Sequence, residues 1–309
     1  MMKKQPVLLG IVGDSATGKT TISAGIRDIL GADRVITICA DDYHKYNRVE
    51  RKKYNISALH PDCNFIDILE QHLCLLRAGK PILKPVYNHS TGDFDRPEYI
   101  EPKDFIIVEG LLCFYTKKLR EKFDVKVYLD PEEDLRLAWK LKRDTSKRGY
   151  TKEQVIESLK KRAPISKRYI RPQRQFADIV VSFYRPKGHE NETGSHLNVT
   201  LILRPTLRHP DFSAFLDPRP DIRERCLSIS LGRDEGLPVD FLNIKGIITP
   251  MTAETLMDLI WSHLPDGIDP WDVEIGQYYE GKEKKISYPL AITQLLTTYH
   301  LLNVHLNNE

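Results

Sequence analysis

The stretch "GDSATGKT", residues 13–20, follows directly on the apolar run "VLLGIV", and no other feature of the chain restricts its fold as much. Gly, four residues, then Gly-Lys-Thr wraps phosphate when a strand runs into it and a helix leads out. Both flanks read that way. Val7 to Val12 is short, apolar and rich in β-branched residues, as a buried parallel strand is. Thr20, Ile22, Ile26, Ile29 and Leu30 then recur at roughly helical spacing up to Gly31, a helix terminator. A loop of this kind cradles phosphate with backbone N–H groups and a helix N-terminus. Its candidate nucleotide-binding residues are Gly13, Asp14, Ser15, Ala16, Thr17, Gly18, Lys19, Thr20 and Thr21. Lys19 would reach the β- and γ-phosphates of ATP, and the Thr20 hydroxyl would ligate Mg2+.

Further units follow in the same style. "RVITICA" (34–40) reads as a strand ending in Asp41-Asp42, and residues 64–78 as a helix. "DFIIVEG" (104–110) is a buried strand with Glu109 at its carboxyl end, and "DVKVYLD" (124–130) and "ADIVVSFY" (177–184) are two more. Helices are predicted over 132–148 and 152–162. The alternation implies an α/β fold of P-loop kinase type: a mostly parallel sheet with helices on both faces, binding ligands beyond the carboxyl ends of its strands. Gly13, Asp41 and Glu109 all fall there. A polar connection at 186–196 leads to strands in "LNVTLILRP" and "RCLSISLG" and helices over 252–264 and 289–303. We therefore expect a core over 1–185, holding the ATP site, acceptor site and lid. Residues 186–309 would be an α+β extension, continuous with the core sheet or serving as a dimer surface.

Composition excludes some classes of partner. A net charge of +3 over 309 residues gives no electrostatic case for nucleic acid or an anionic membrane. No stretch approaches the 18 or so consecutive apolar residues of a membrane span. The five cysteines (39, 63, 74, 113 and 226) are odd in number and lack CxxC spacing, which points to reduced thiols in a cytoplasmic protein.

The acidic strand ends and nearby cations suggest what the phosphoryl group goes to. Glu109 lies where an acid holds the metal or its water shell, and a kinase acting on a hydroxyl needs a carboxylate to accept that proton. Asp41 and Asp42 divide this work, one as base and one near the metal, or else cap the next turn. His44, Arg48 and Lys52 follow in "DDYHKYNRVERK", a cluster suited to an anionic acceptor such as a sugar phosphate. "PVYNHSTG" (85–92) adds Tyr87 and His89 in a turn-rich stretch. "WKLKRDTSKRGY" (139–150) sets Lys140, Lys142, Arg143 and Arg148 around Asp144. It is either a solvated helix face or a lid that closes positive charge onto the transferring group, Arg143 and Arg148 foremost.

These motifs in order, from "GDSATGKT" through "DDYHKYNR", "KPVYNHSTG", "FIIVEGLL" and "WKLKRDTSKRGYT" to "IRPQRQFADIVV", resemble the phosphoribulokinases within the phosphoribulokinase and uridine kinase group. The resemblance covers about Val7 to Phe183. It implies transfer of the ATP γ-phosphoryl group to the 1-hydroxyl of ribulose 5-phosphate, in a homodimer that needs Mg2+. By the same resemblance Asp41 is the base with Asp42 beside it, and Glu109 is the strand-end acid. His44, Arg48, Lys52 and His89 hold the sugar phosphate. Lys140, Arg143, Asp144 and Arg148 form the lid, with Arg162 in the next basic helix. Thioredoxin-regulated members pair a cysteine just before the loop's Gly-Lys with one before the Asp-Asp motif. Here Cys39 holds the second place but Thr17 the first, so that switch is absent. Two other readings stand beside this one: a uridine or cytidine kinase, for which Arg48 and Lys52 have less purpose, and a nucleotide-binding regulatory protein without turnover.

Overall fold

The computed structural model describes residues 5–212, 226–263 and 275–307, so Arg225 and Leu264, at the ends of two segments read above, lie outside the described residues. Residues Val7–Gly13 form strand β1, buried along its whole length. Its side chains divide between two cores. Val7, Leu9 and Ile11 face one cluster with Ile22 and Ile26, while Leu8 and Val12 face another with Leu69, Leu73 and Leu76. That two-sided burial is why the run reads as continuously apolar rather than alternating.

Helix α1 (Lys19–Leu30) leads from β1 to β2 (Val35–Cys39), and a 3-10 turn follows at Ala40–Tyr43. Short α2 (Arg48–Lys53), α3 (Ile66–Arg77) and a hairpin of β3 (Ile82–Asn88) and β4 (Asp93–Ile100) come next. Strand β5 (Phe105–Gly110), helix α4 (Lys117–Arg120), strand β6 (Val125–Leu129) and helices α5 (Glu133–Lys147) and α6 (Lys152–Tyr169) complete the approach to β7 (Ile179–Tyr184). The second of these helices outruns the predicted end at Arg162 and carries Pro164 inside it. Beyond β7 lie β8 (Asn198–Leu203), β9 (Leu227–Asp234), β10 (Leu237–Ile244), α7 (Pro250–Ser262), a small hairpin of β11 (Gln277–Glu280) and β12 (Glu283–Ile286), and α8 (Tyr288–Asn307).

Eight strands form one sheet in the order β2-β5-β1-β6-β7-β8-β10-β9. The first five run parallel, and β8, β10 and β9 continue the sheet antiparallel. The chain leaves β1 toward β2 on one side and returns to the other side through β6. The loop after β1 therefore sits at the point where strand order reverses, the crevice in which such sheets bind ligands. Register matters as much as order. Ile11 of β1, Glu109 of β5 and Cys39 of β2 stand in one row, so the three segments beyond them emerge together at one edge. No described helix is long and apolar enough to cross a membrane.

Candidate active site

The donor half is built on the N-terminus of α1. Gly18 caps that helix at φ 92, a left-handed conformation that only glycine adopts without strain, and no side chain caps the turn. The first N–H groups are thus left aimed out of the helix, where an anion satisfies them. Ala16 is also left-handed, at φ 69, a strained residue of the kind that functional loops retain. Lys19 turns back over the loop, its Nζ donating to the carbonyls of Gly13 and Asp14 at 2.9 Å each. Burial lowers its pKa, opposed by the charges of Asp41, Glu109 and Asp14. Thr17 Oγ1 donates to the Asp14 carbonyl (3.0 Å). The Thr20 hydroxyl donates to Glu109 Oε1 (2.9 Å), and Ser23 donates to Oε2 (3.0 Å). Glu109 and Thr20, 89 positions apart in sequence, so form one oxygen cluster.

Side chains of α5, the segment read above as a lid, meet the other side of the loop. Arg143 Nη2 donates to Ser15 Oγ (3.1 Å) and Arg136 Nη1 to the Ser15 carbonyl (3.2 Å). Asp144 is buried and gathers Lys140 Nζ and Arg143 Nε at 2.8 Å each, with Arg148 Nη1 at 3.7 Å. Burial works to raise the Asp144 pKa, but the hydrogen bonds from Arg143 and Lys140 prevail and hold it below the usual carboxylate range. Burial pushes Lys140 down to about 8 in spite of Asp144, helped by the nearby charges of Arg143 and Arg162. Ser166 Oγ ties helix α6 to the loop through Asp14 Oδ2 (2.6 Å).

The residues expected to face an acceptor gather on and around the 3-10 turn after β2. Asp41 stands 3.7 Å from His89 Nε2. Its burial favours the neutral acid, yet the charges of His44, His89, Lys19 and Arg148 outweigh that and lower its pKa. Asp41 thus feels the loop lysine, the lid and both imidazoles. Asp42 is engaged differently. It accepts from Lys84 Nζ at 2.5 Å and from the Tyr87 N–H at 2.9 Å, which fastens the β3–β4 hairpin to the turn. The structure places it with the hairpin, and both its oxygens have partners there.

Buried His44 meets Asn64 Oδ1 through Nδ1 at 2.7 Å. The Asn64 amide nitrogen is committed to the carbonyls of Ala58 (3.1 Å) and His60 (2.9 Å), so its oxygen faces the ring and His44 Nδ1 carries the hydrogen. Nε2 is left as an acceptor, and burial lowers the pKa of the ring. Tyr87 packs edge-on against both His44 and His89, with centroids 4.9 and 5.1 Å away. Arg48 Nη2 donates to the His89 carbonyl (2.6 Å). Lys52 is exposed, whereas Arg51 reaches inward, its guanidinium 5.0 Å over the Tyr87 ring and 2.5 Å from the hydroxyl. Arg162 interacts electrostatically with Arg51, Asp144 and Asp41, and so lies between lid and acceptor halves.

Sequence reasoning missed Lys84, Asn64, Ser23, Arg136, Arg51 and Ser166. Only Lys84 left a signal: it shares the inward phase of β3 with Ile82, while Leu83 between them is 61% exposed. A lysine on the buried phase of a strand needs a buried acid.

Comparison with known proteins agrees with this architecture. The model of the phosphoribulokinase / uridine kinase family matches residues 8–188. A phosphoribulokinase of Synechocystis is 38% identical over 196 residues, covering 63% of this chain and 59% of that protein. A chloroplastic phosphoribulokinase of Chlamydomonas reinhardtii is 33% identical, covering 65% of this chain and 58% of its own length. The chain therefore spans less than two thirds of these relatives. A uridine kinase of Chloroflexus aurantiacus is 36% identical, covering 65% of this chain and 96% of that one. Among solved structures, the phosphoribulokinase from Rhodobacter spheroides superposes with a TM-score of 0.60 over 84% of this chain and 97% of its own, at 17% identity. That likeness establishes the fold, C-terminal part included.

Proposed function

The chain belongs to the phosphoribulokinase / uridine kinase family, and from that premise we propose that it transfers the γ-phosphoryl group of ATP to the 1-hydroxyl of ribulose 5-phosphate, giving ribulose 1,5-bisphosphate and ADP. One observation carries the reading. Asp41 is a carboxylate kept ionised between the loop lysine, the lid arginine Arg148 and two acceptor-side imidazoles, which is where a base between donor and acceptor must stand. Asp41 takes the hydroxyl proton as the oxygen attacks phosphorus. Lys19 and the N-terminus of α1 hold the β- and γ-phosphates, with residues 13–21 as the binding loop. Arg143, Lys140 and Arg148 place positive charge over the transferring group, oriented by Asp144.

The acceptor is anionic in this reading. Arg48, Lys52 and His89, with Arg51 and Arg162, surround its phosphate, and His44 Nε2 accepts from a sugar hydroxyl beside Tyr87. The hydroxyl of Thr20 and the carboxylate of Glu109, 2.9 Å apart, are hard oxygen donors of the kind Mg2+ takes. They would hold the ion, with Asp42 reaching it only if its hairpin contacts are exchanged. When bound, Mg2+ neutralises the phosphate oxygens. The same reading places the enzyme in the cytoplasm as a homodimer, with the last third as candidate contact surface and no nucleic acid or membrane as partner.

Coverage of almost the whole of a uridine kinase makes a nucleoside acceptor the second reading, and one assay separates the two. ADP release from MgATP is measured with ribulose 5-phosphate or uridine, with and without thiol reductant, and with Lys19→Ala as the control for contaminating kinase. Turnover that needs ribulose 5-phosphate and ignores reductant is the expected result. Turnover with uridine alone would replace the acceptor assignment. Binding of ATP with neither acceptor used would leave a regulatory protein.

A further inference from the structure

Cys39, at the end of β2, is used by neither half of the site. Its Sγ, one carboxylate oxygen of Asp41 and one ring nitrogen of His89 lie within 4.8 Å of one another. These are three different donor atoms from two segments, the end of β2 with its 3-10 turn and the β3–β4 hairpin, and exposed His89 gives solvent a way in. We propose that Cys39, Asp41 and His89 form a capture site for a soft divalent cation of the zinc and cadmium class, and that a captured ion arrests phosphoryl transfer.

The geometry needs little adjustment. Bond lengths of about 2.0–2.3 Å around a tetrahedral ion put neighbouring donors about 3.5 Å apart. Side-chain rotation of about 1 Å therefore closes the trio, and the fourth position stays open for water. The donor set also selects the ion. Thiolate and imidazole suit zinc or cadmium, while Mg2+ demands oxygen ligands and near-octahedral geometry. Thr20 and Glu109 offer oxygen only, so the two cations do not compete for one set of ligands.

Electrostatics explain why the thiol is quiet without such an ion. Burial, together with the charges of Asp41, Glu109 and Asp42, raises the Cys39 pKa well above its ordinary value. A dication reverses that balance, because the carboxylates that disfavour a bare thiolate favour the metal complex. The thiol proton leaves to solvent on binding. The bound ion then occupies the carboxylate that takes the acceptor's proton, a consequence that rests on the role proposed for Asp41.

Cadmium titrated into the purified chain without nucleotide tests the site directly. One ultraviolet sulfur-to-cadmium charge-transfer band should appear and saturate at one equivalent. Cys39→Ala should abolish it, and Cys113→Ala and Cys74→Ala should keep it. His89→Ala should raise the saturating concentration by more than the roughly 10–100-fold that losing an outer partner costs. No band, a band that survives Cys39→Ala, or one indifferent to His89→Ala would overturn the site. In the kinase assay zinc should stop wild-type turnover and spare Cys39→Ala; equal inhibition of both would overturn the arrest. A band without any kinase activity would sink the proposed function and leave the site standing.

Discussion

Asp41 and Lys140 show how burial and neighbouring charge set a residue's chemistry. Lys140 is taken from water and Asp41 partly so, yet the surroundings of Asp41, the imidazoles of His44 and His89 with the cations Lys19 and Arg148, favour its ionised form. Asp41→Asn keeps the shape and removes the proposed base. The acceptor-dependent kcat should fall by roughly 10²–10⁴-fold, with KM for ATP nearly unchanged, as followed by ADP release. Lys140 answers to pH. Its pKa of about 8 lies below the ordinary lysine value, so its ammonium is present below pH 8 and lost as pH rises through it. The rate profile should then have an alkaline limb near that pH, which Lys140→Arg moves upward because guanidinium does not titrate there. An unmoved limb would assign it to another group. Stability runs the other way: between about pH 8 and the ordinary lysine value the unfolded chain binds more protons, so the folded state gains as pH rises.

At the scale of elements, the β3–β4 hairpin is fastened to the 3-10 turn after β2 by a buried ion pair, beside the packing of Ile82 into the core. Lys84 and Asp42 have side chains only 6% and 12% exposed, and a buried pair that loses one partner leaves an uncompensated charge. Lys84→Met should cost about 3–5 kcal/mol in denaturant unfolding. Because Tyr87 and His89 ride on this hairpin, KM for the acceptor should rise more than KM for ATP. Adding Asp42→Asn should restore part of the stability, since the orphaned charge goes with it. Equal changes in both KM values would mean that the hairpin does not belong to the acceptor site.

Across the whole molecule, the last third is joined to the phosphate loop. Helix α8 is buried all round from Pro289 to Leu302 and lies against α1. Gln294 Nε2 donates to the Thr21 carbonyl (3.0 Å) and its Oε1 accepts from the Gly276 N–H (2.8 Å). Contact is close enough that a Cβ on Gly25 would stand 2.2 Å from the Gln294 amide. Lys142 meets Glu280 (2.7 Å) and Trp139 Nε1 donates to the Thr193 carbonyl (2.8 Å), so the lid helix too rests on C-terminal segments. Gly25→Ala should cost about 1–3 kcal/mol by overpacking. Gln294→Ala should cost a similar amount by stranding the buried Gly276 N–H, about 1–3 kcal/mol. The double variant should lose less than the sum, since removing the amide relieves the clash; strict additivity in urea unfolding would show the two sites to be independent.

The sequence by itself determined the phosphate loop, the buried parallel strands and the acids at their ends, because each is written in local pattern: apolar runs, helical spacing, glycine and lysine at fixed offsets. Gly13, Lys19, Thr20, Asp41 and Glu109 were all legible for that reason. The predicted helix over 289–303 was legible as an element, but not its place against α1, since a helix buried all round has no polar face to show its direction. Only the tertiary structure decided which partners each acid meets. Strand register sets Cys39 and Glu109 side by side, the hairpin takes Asp42 for Lys84, and Asn64 orients His44 from 20 residues away. Such pairings join positions distant in sequence, and a charge or hydrogen bond leaves no periodic trace along the chain to reveal the partner that folding brings to it.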